Sequence, residues 1–226
     1  MKIALCLLTL NEIAGCKHDV PSLPRDIFSE IYAIDGGSTD GTIDYLTSEK
    51  IPVYQQRHKG LNDAYLLAME KCHADALIFF HPKGSILAAE TVKMSRYLAD
   101  GYDLVVGSRN AVNAENEEDK RILRPRKWFV MGLSFITAFF FLKQGTYMTD
   151  VLHGFRGINV ASFKELSCNK QGATIDLEMI MYAYTKNLKC IEFSVRETRR
   201  LVGETHFRAI PTGWALLGCL IKRIFR

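Results

Sequence analysis

Four apolar runs, "KIALCLLTL", "IYAID", "DALIFF" and "YDLVVGSRN", recur through residues 1–110, with polar segments of helix length between them. Their cores are apolar at successive rather than alternate positions. A strand reads this way when it is covered on both faces, so the runs belong in a parallel sheet with helices above and below. "TIDYLTSEK" follows the Gly-rich turn "GGSTDGT" with a Ser/Thr/Asp start signal, "LNDAYLLAMEKC" and the glycine-closed "ILAAETVKMSRYLADG" are further helices, and "IPVYQQ" is a shorter strand. The expected fold class is α/β, a mostly parallel central sheet flanked by helices, with ligands bound beyond the carboxyl ends of the strands.

With 226 residues, 48% of them hydrophobic, the chain can bury a substantial core without disulfides, and a single domain over residues 1–226 is expected. Six cysteines (Cys6, Cys16, Cys72, Cys168, Cys190, Cys219) lie far apart with no C-x-x-C pair, the pattern of reduced, buried thiols in a cytoplasmic protein. The opening "MKIALCLLTLNE" loses its apolar character at Asn11-Glu12 with no small-residue cleavage site after it, and so reads as a first core strand. The net charge of +4 is gathered only in "KRILRPRK" and the terminal "KRIFR". That balance favours an anionic ligand or membrane surface over nucleic acid.

Beyond residue 110 the alternation breaks. "NAENEEDKRILRPRK" is expected to be a mobile, solvated loop. The uncharged run "WFVMGLSFITAFFFL", residues 128–142, would span about 22 Å as a helix, short of the roughly 30 Å hydrocarbon layer. It is expected to be buried or to lie in a membrane interface. A helix "DLEMIMYAYTKN", a strand "KCIEFSV" and the polar "RETRRLVGETHFR" follow, and "GWALLGCLIKRIFR" closes the chain with Trp214 and aliphatics beside Lys222, Arg223 and Arg226.

The polar residues at the strand ends carry the chemistry. Asn11, Glu12 and Asp35 offer acceptors for the N–H edge of a nucleobase and for ribose hydroxyls, or else form turns and helix caps. Arg109, Arg156 and Arg200 are fixed cations suited to phosphate oxygens, whereas Arg196 and Arg199 fit surface salt bridges better. No G-x-G-x-x-G follows the first strand, which disfavours a dinucleotide-binding dehydrogenase.

Five segments in order, "LLTLNE", "IDGGSTDGT", "DLVVGSRN", "DVLHGFR" and "RLVGETHF", resemble glycosyltransferase family 2 on the GT-A fold, in particular polyprenyl-phosphate glycosyltransferases of the dolichol-phosphate mannose synthase type. Leu8 stands where a proline is usual and Thr205 where a serine is. The resemblance implies a nucleotide-sugar-binding half over residues 1–110, an acceptor half over 111–208 and an amphipathic C-terminal helix over 209–226. It further implies a donor site of Thr9, Asn11, Glu12, Asp35, Gly36, His81 and Lys83. Acceptor or phosphate contacts would come from Arg109, Arg126, Arg156, Arg200 and Thr205, although Val130 replaces the serine expected four residues after Arg126. Asp150, Arg200 and Lys83 are the expected catalytic residues, with Glu178 in support; Asp150 and Glu178 would face the reacting sugar, or serve as structural acceptors for Arg156.

The implied reaction is inverting transfer from a UDP- or GDP-linked sugar to a polyprenyl phosphate. Such an acceptor, with a second pKa near ~6, needs no general base. The turn "HPKG" places His81 and Lys83 where the family carries the two aspartates of its D-x-D metal motif. Manganese or magnesium is therefore disfavoured and no cofactor is expected, the lysine supplying the charge a metal would bring. The expected partners are the nucleotide-sugar, the lipid acceptor, the inner membrane face as a peripheral docking surface, and a possible second copy or membrane subunit. Two alternatives stand beside this: transfer to a sugar hydroxyl, which requires a carboxylate base, and a degenerate nucleotide-sugar-binding scaffold.

Overall fold

Seven strands form one sheet: β1 (Ile3–Thr9), β2 (Glu30–Asp35), β3 (Val53–Gln55), β4 (Ala76–Phe80), β5 (Leu104–Ser108), β6 (Arg156–Asn159) and β7 (Cys190–Ser194), in the order β3-β2-β1-β4-β6-β5-β7. The computed structural model describes residues 1–116, 118–119, 123–201 and 209–225. Helices α1 (Ile13–Asp19), α2 (Thr42–Ser48), α3 (Leu61–Lys71), α4 (Glu90–Ala99), α5 (Pro125–Phe141), α6 (Val160–Lys164), α7 (Ile175–Thr185) and α8 (Ala209–Ile224) complete it.

The continuous apolar runs have the origin expected of them. Every residue of β1 is buried, with Ala4, Cys6 and Leu8 in one core layer and Ile3, Leu5 and Leu7 in the other. α3, α7 and α8 cover the first face; α1, α2 and α4 cover the second. Truncating a fully buried side chain such as Leu5 or Leu7 would cost about 2–5 kcal/mol.

One strand runs against the rest. β6 pairs antiparallel with both β4 and β5, at registers such as Phe79 with Arg156 and Val106 with Arg156. The segment expected to present a phosphate-binding arginine is thus a strand wedged into the middle of the sheet. The other strands share one direction, so the ends of β1, β2, β4 and β5 meet at a single edge, where residues 150–155 turn back into β6.

The expected solvated loop is only partly that. Glu118 is buried and accepts the backbone N–H of Lys127 at 3.0 Å in the first turn of α5, while Asp119 pairs with Arg124 and Lys127. α5 buries Val130, Leu133, Ser134 and Thr137, whereas Phe135 and Phe139 are 65% and 73% exposed. It is only partly buried, against the expectation of a buried helix. α8 likewise leaves a large apolar side chain outside, with Leu216 and Leu220 inside and Trp214 73% exposed. Among the described residues no helix is long and apolar enough to cross a membrane. All six cysteines are free; Cys6, Cys16 and Cys190 are buried, but Cys72, Cys168 and Cys219 are only half-buried.

The turn after β4 rests directly on α1. A Cβ at Gly15 would come within 2.7 Å of Lys83 Cα and would also strike the Pro82 carbonyl, and both are backbone atoms that cannot rotate away. Gly15→Ala would gain about 1 kcal/mol from helix propensity alone. It is nevertheless expected to lower stability by about 1–3 kcal/mol in urea denaturation, because the overpacked turn must shift.

Candidate functional site

Beyond the ends of β1, β2 and β4 lies a cavity of about 380 Å³ lined by Thr9, Glu12, Gly36, Gln56, Lys59, His81 and Lys83 among others. Five of the seven residues expected at a donor site line it. Asp35 and Asn11 serve it differently. Asp35 is fully buried, its Oδ1 accepting from the N–H groups of Gly37 (2.8 Å) and Ser38 (2.7 Å), its Oδ2 from the hydroxyls of Thr9 (2.8 Å) and Ser38 (2.6 Å). Four donors saturate the carboxylate, so Asp35 builds the Gly-rich turn instead of reading a ligand. Asn11 likewise accepts from Thr39 N–H at 2.9 Å and, at φ 53°, holds the mouth of the turn in a left-handed conformation.

The His81–Gly84 turn is held from below, Gly84 donating its N–H to the buried Asp19 carboxylate at 2.8 Å. His81 lies over Gly154, where a Cβ would collide with its ring, so the "HPKG" and "HGFR" segments meet. Burial, with Lys83 and His153 beside it, pushes His81 well below the usual histidine range, so it is neutral at pH 7. Burial likewise lowers Lys83, against the pull of Glu12 and Glu197 and with that of Arg200 and Arg109. Arg200 reaches the Glu12 carboxylate and ties the segment after β7 to the end of β1.

At the end of β5, Arg109 grips the fully buried Asp150 through Nε (2.7 Å) and Nη2 (3.1 Å), and its Nη1 reaches Glu197 at 3.2 Å. Burial works against that charge, but Asp150 and Glu197 raise Arg109 above its ordinary value. Burial would push both carboxyls up; Arg109 holds Asp150 below the usual range, and His153, Arg109 and Lys83 hold Glu197 far below it. Asp150 therefore does not face the cleft as expected. It orients Arg109.

Two further expectations are corrected by burial. Arg156 has no exposed surface and donates to the carbonyls of His153 (2.6 and 2.9 Å), Asp176 (2.8 Å) and Val151 (3.4 Å), with Asp176 as its carboxylate partner at 3.1 Å. It presents no surface to a ligand phosphate, and its partners include neither Asp150 nor Glu178. Glu178 is buried too, accepting from Thr174 and from Asn169 at 3.2 and 3.3 Å, away from the cleft. Arg196 forms the expected surface salt bridge, to Glu115. Thr205 and Arg226 lie outside the described residues.

A second cavity, of about 460 Å³, adjoins the first at Leu61, which lines both. Arg109, Arg126 and Asp176 are its charged lining; Phe129, Val130, Leu152 and Leu216 make it apolar, between α5 and α8. Burial raises the Asp176 carboxyl, although Arg156 and the Tyr65 hydroxyl at 2.9 Å oppose it. Glu197, His153, Asp176 and Gln56 were not singled out from sequence. The first two face Arg109 and the Gly107 carbonyl only through contacts across 88 and 46 residues, which no local pattern reports.

The donor set of the described residues suits a divalent cation poorly. Among the described residues no group of three His, Cys, Asp or Glu side chains is arranged to hold one. The β4 end offers an imidazole beside an ammonium, while Glu12, Asp35, Asp150 and Glu197 are each engaged by cations or by N–H and O–H donors. Hard cations favour oxygen ligands, usually with at least one carboxylate free to turn toward them.

Comparison with known proteins places this geometry. The solved structure of glucosyl-3-phosphoglycerate synthase from Mycobacterium tuberculosis with Mn2+, uridine diphosphate and phosphoglyceric acid superposes with a TM-score of 0.78 at 14% identity, covering 99% of this chain and 78% of that one, and so shares the fold. Glycosyltransferase AglJ of Haloferax volcanii is 28% identical over 82% of this chain, which spans 60% of that relative's length. UDP-N-acetylglucosamine–dolichyl-phosphate N-acetylglucosaminyltransferase of Methanococcus voltae is 26% identical over 73% of this chain and 72% of its own. The family model described as glycosyl transferase family 2 matches residues 11–167, well over half the sequence, and the chain belongs to that family.

Proposed function

We propose that this protein transfers a sugar from a nucleotide-sugar to the phosphate of a polyprenyl-phosphate-type lipid, with inversion at the anomeric carbon. One observation carries the reading: a polar cavity lined by Lys83, with Arg200 on its Glu12, adjoins an apolar cavity lined by Arg109 and Arg126, while Glu12, Asp150 and Asp176 on these walls are engaged by cations and other donors. The site is equipped to hold anions, and among the described residues each of its carboxylates is held by a cation or by N–H and O–H donors. A lipid phosphate, already largely dianionic at neutral pH, requires no general base. A sugar hydroxyl would require one, and Asp150 is closed off by Arg109. The dolichyl phosphate in the name of the Methanococcus voltae relative supports the same acceptor class.

In this reading the donor lies along the β1, β2 and β4 ends with its diphosphate toward Lys83 and Arg200, and the acceptor chain lies in the apolar cavity with its phosphate toward Arg109 and Arg126. A phosphate oxygen attacks the anomeric carbon from the side opposite the leaving group. The bond to the diphosphate breaks in the same displacement, and the charge gathering there meets cations already in place. Asp150 and Glu197 position Arg109. Lys83 does the electrostatic work that a metal does elsewhere, so transfer persists without added metal.

The exposed apolar faces of α5 and α8 belong to this reading as well. They lie beside the acceptor cavity, and Lys222 and Arg223 in the last turn of α8 suit the anionic lipids of a cytoplasmic leaflet. The protein would work as a peripheral enzyme with these faces among the headgroups.

Radiolabelled transfer to polyprenyl phosphate in the presence of a chelator tests the chemistry. Product should form in the wild type, and Lys83→Ala should lower kcat/KM about a hundredfold. A saturable manganese requirement undiminished in that variant would sink the lysine assignment, and no product under any condition would leave a binding scaffold. The depressed Lys83 gives a second test with a defined sign. Its charge is present at low pH and lost as pH rises through its lowered pKa, so kcat/KM should fall on an alkaline limb that Lys83→Arg moves to higher pH. Sedimentation with phosphatidylglycerol-containing vesicles tests the surface: wild-type protein should pellet, and Phe139→Glu with Trp214→Glu should stay in the supernatant with unchanged thermal stability.

A further inference from the structure

We infer that Gln56 selects the donor's nucleobase, taking bases whose Watson–Crick edge presents a ring N–H and rejecting those that present a bare ring nitrogen there. The inference rests on the polar cavity being a nucleotide site. Gln56 follows β3 directly and donates its N–H to the Asp35 carbonyl at 2.9 Å, which sets it beside the β2 end. Its side-chain Nε2 lies 2.7 Å from the Gly60 carbonyl and 3.3 Å from the His58 carbonyl. Both neighbours only accept, so chemistry fixes which end of the amide is nitrogen. Oε1 must therefore face the other way.

There it stands over Gly36, where a Cβ would lie 3.0 Å from it, and Gln56 and Gly36 line the cavity together. Among the described residues no hydrogen-bond donor pairs with this oxygen, which is open to the cavity. The other acceptors nearby are committed: Asp35 is saturated by four donors, and Glu12 faces Arg200. A carbonyl whose NH2 is already engaged can only accept. Uracil N3–H and guanine N1–H would complete it, whereas cytosine N3 and adenine N1 would set lone pair against lone pair. A wrong base would cover the carbonyl without pairing it, and that loss works against its binding.

Calorimetric titration of the whole chain with UDP, GDP, CDP and ADP tests this, alongside N3-methyl-UDP and N1-methyl-GDP, which lack the N–H in question. The tighter of UDP and GDP should exceed both CDP and ADP by at least about tenfold, and methylating its ring N–H should abolish that advantage in the wild type. In Gln56→Leu the same ligand should weaken about tenfold while CDP stays within about twofold, which also reports an intact cleft. A methylated nucleotide binding as tightly as its parent, or CDP or ADP matching UDP and GDP, overturns the inference while leaving the nucleotide site standing. Failure of all four diphosphates to bind overturns both.

Discussion

The whole edge of the sheet that carries the site is organised by one buried guanidinium. Arg156 enters the sheet as the first residue of the antiparallel strand β6 with no exposed surface, and a charge so placed is tolerable only when it is paired and hydrogen-bonded. Its partners are the carbonyls of Val151, His153 and Asp176 and the Asp176 carboxylate. To deliver those carbonyls, residues 150–155 must curl around it. The same curl turns Asp150 toward Arg109, His153 toward Glu197 and Gly154 beneath His81. Removing one side of a buried pair of this kind costs about 3–5 kcal/mol. Here it would also release the backbone that shapes the site.

That role explains what could and could not be read from the residues alone. β1, β2, β4 and β5 were legible because burial on both faces leaves a continuous apolar run, whatever the partners turn out to be. β6 was not, because Arg156 and Gly157 interrupt the pattern, and an arginine in a G-F-R segment looks the same whether it faces a ligand or a ring of carbonyls. Position was therefore easier to infer than role. Thr9, Glu12, Gly36, His81 and Lys83 do line one cavity, and Arg109 and Arg126 the next, yet Asp35 and Asp150 turn out to be held by neighbours that strand ends alone do not disclose. Gln56 was passed over because a glutamine after a three-residue strand carries no signal of its own.

The electrostatics of the cleft follow from the same enclosure. Cations and carboxylates interleave here, with Glu12 against Arg200, Asp150 and Glu197 against Arg109, and Lys83 among them. Lys83 differs from the arginines in being a compact ammonium whose charge burial can weaken, while a guanidinium keeps its charge at any relevant pH. A site that relies on it gains a movable point charge but becomes sensitive to pH where an arginine would not be.

Helix α5 bears on the same clamp through its inner face. Ser134 donates to the Thr149 carbonyl at 3.1 Å, one residue before the aspartate that clamps Arg109, and Thr149 is itself held by Glu192 through its N–H at 2.7 Å. Thr137 turns its hydroxyl back onto the Leu133 carbonyl at 2.7 Å and leaves no donor stranded. Small polar residues on the inner face let the helix approach the loop closely and bond to it. Phe135 and Phe139 point outward on the opposite side, an exposed apolar surface of the kind that marks an interaction site. The hydrogen bond through Ser134 links this helix to the Asp150–Arg109 clamp, so in the proposed reading an acceptor entering along α5 would meet an arginine already oriented.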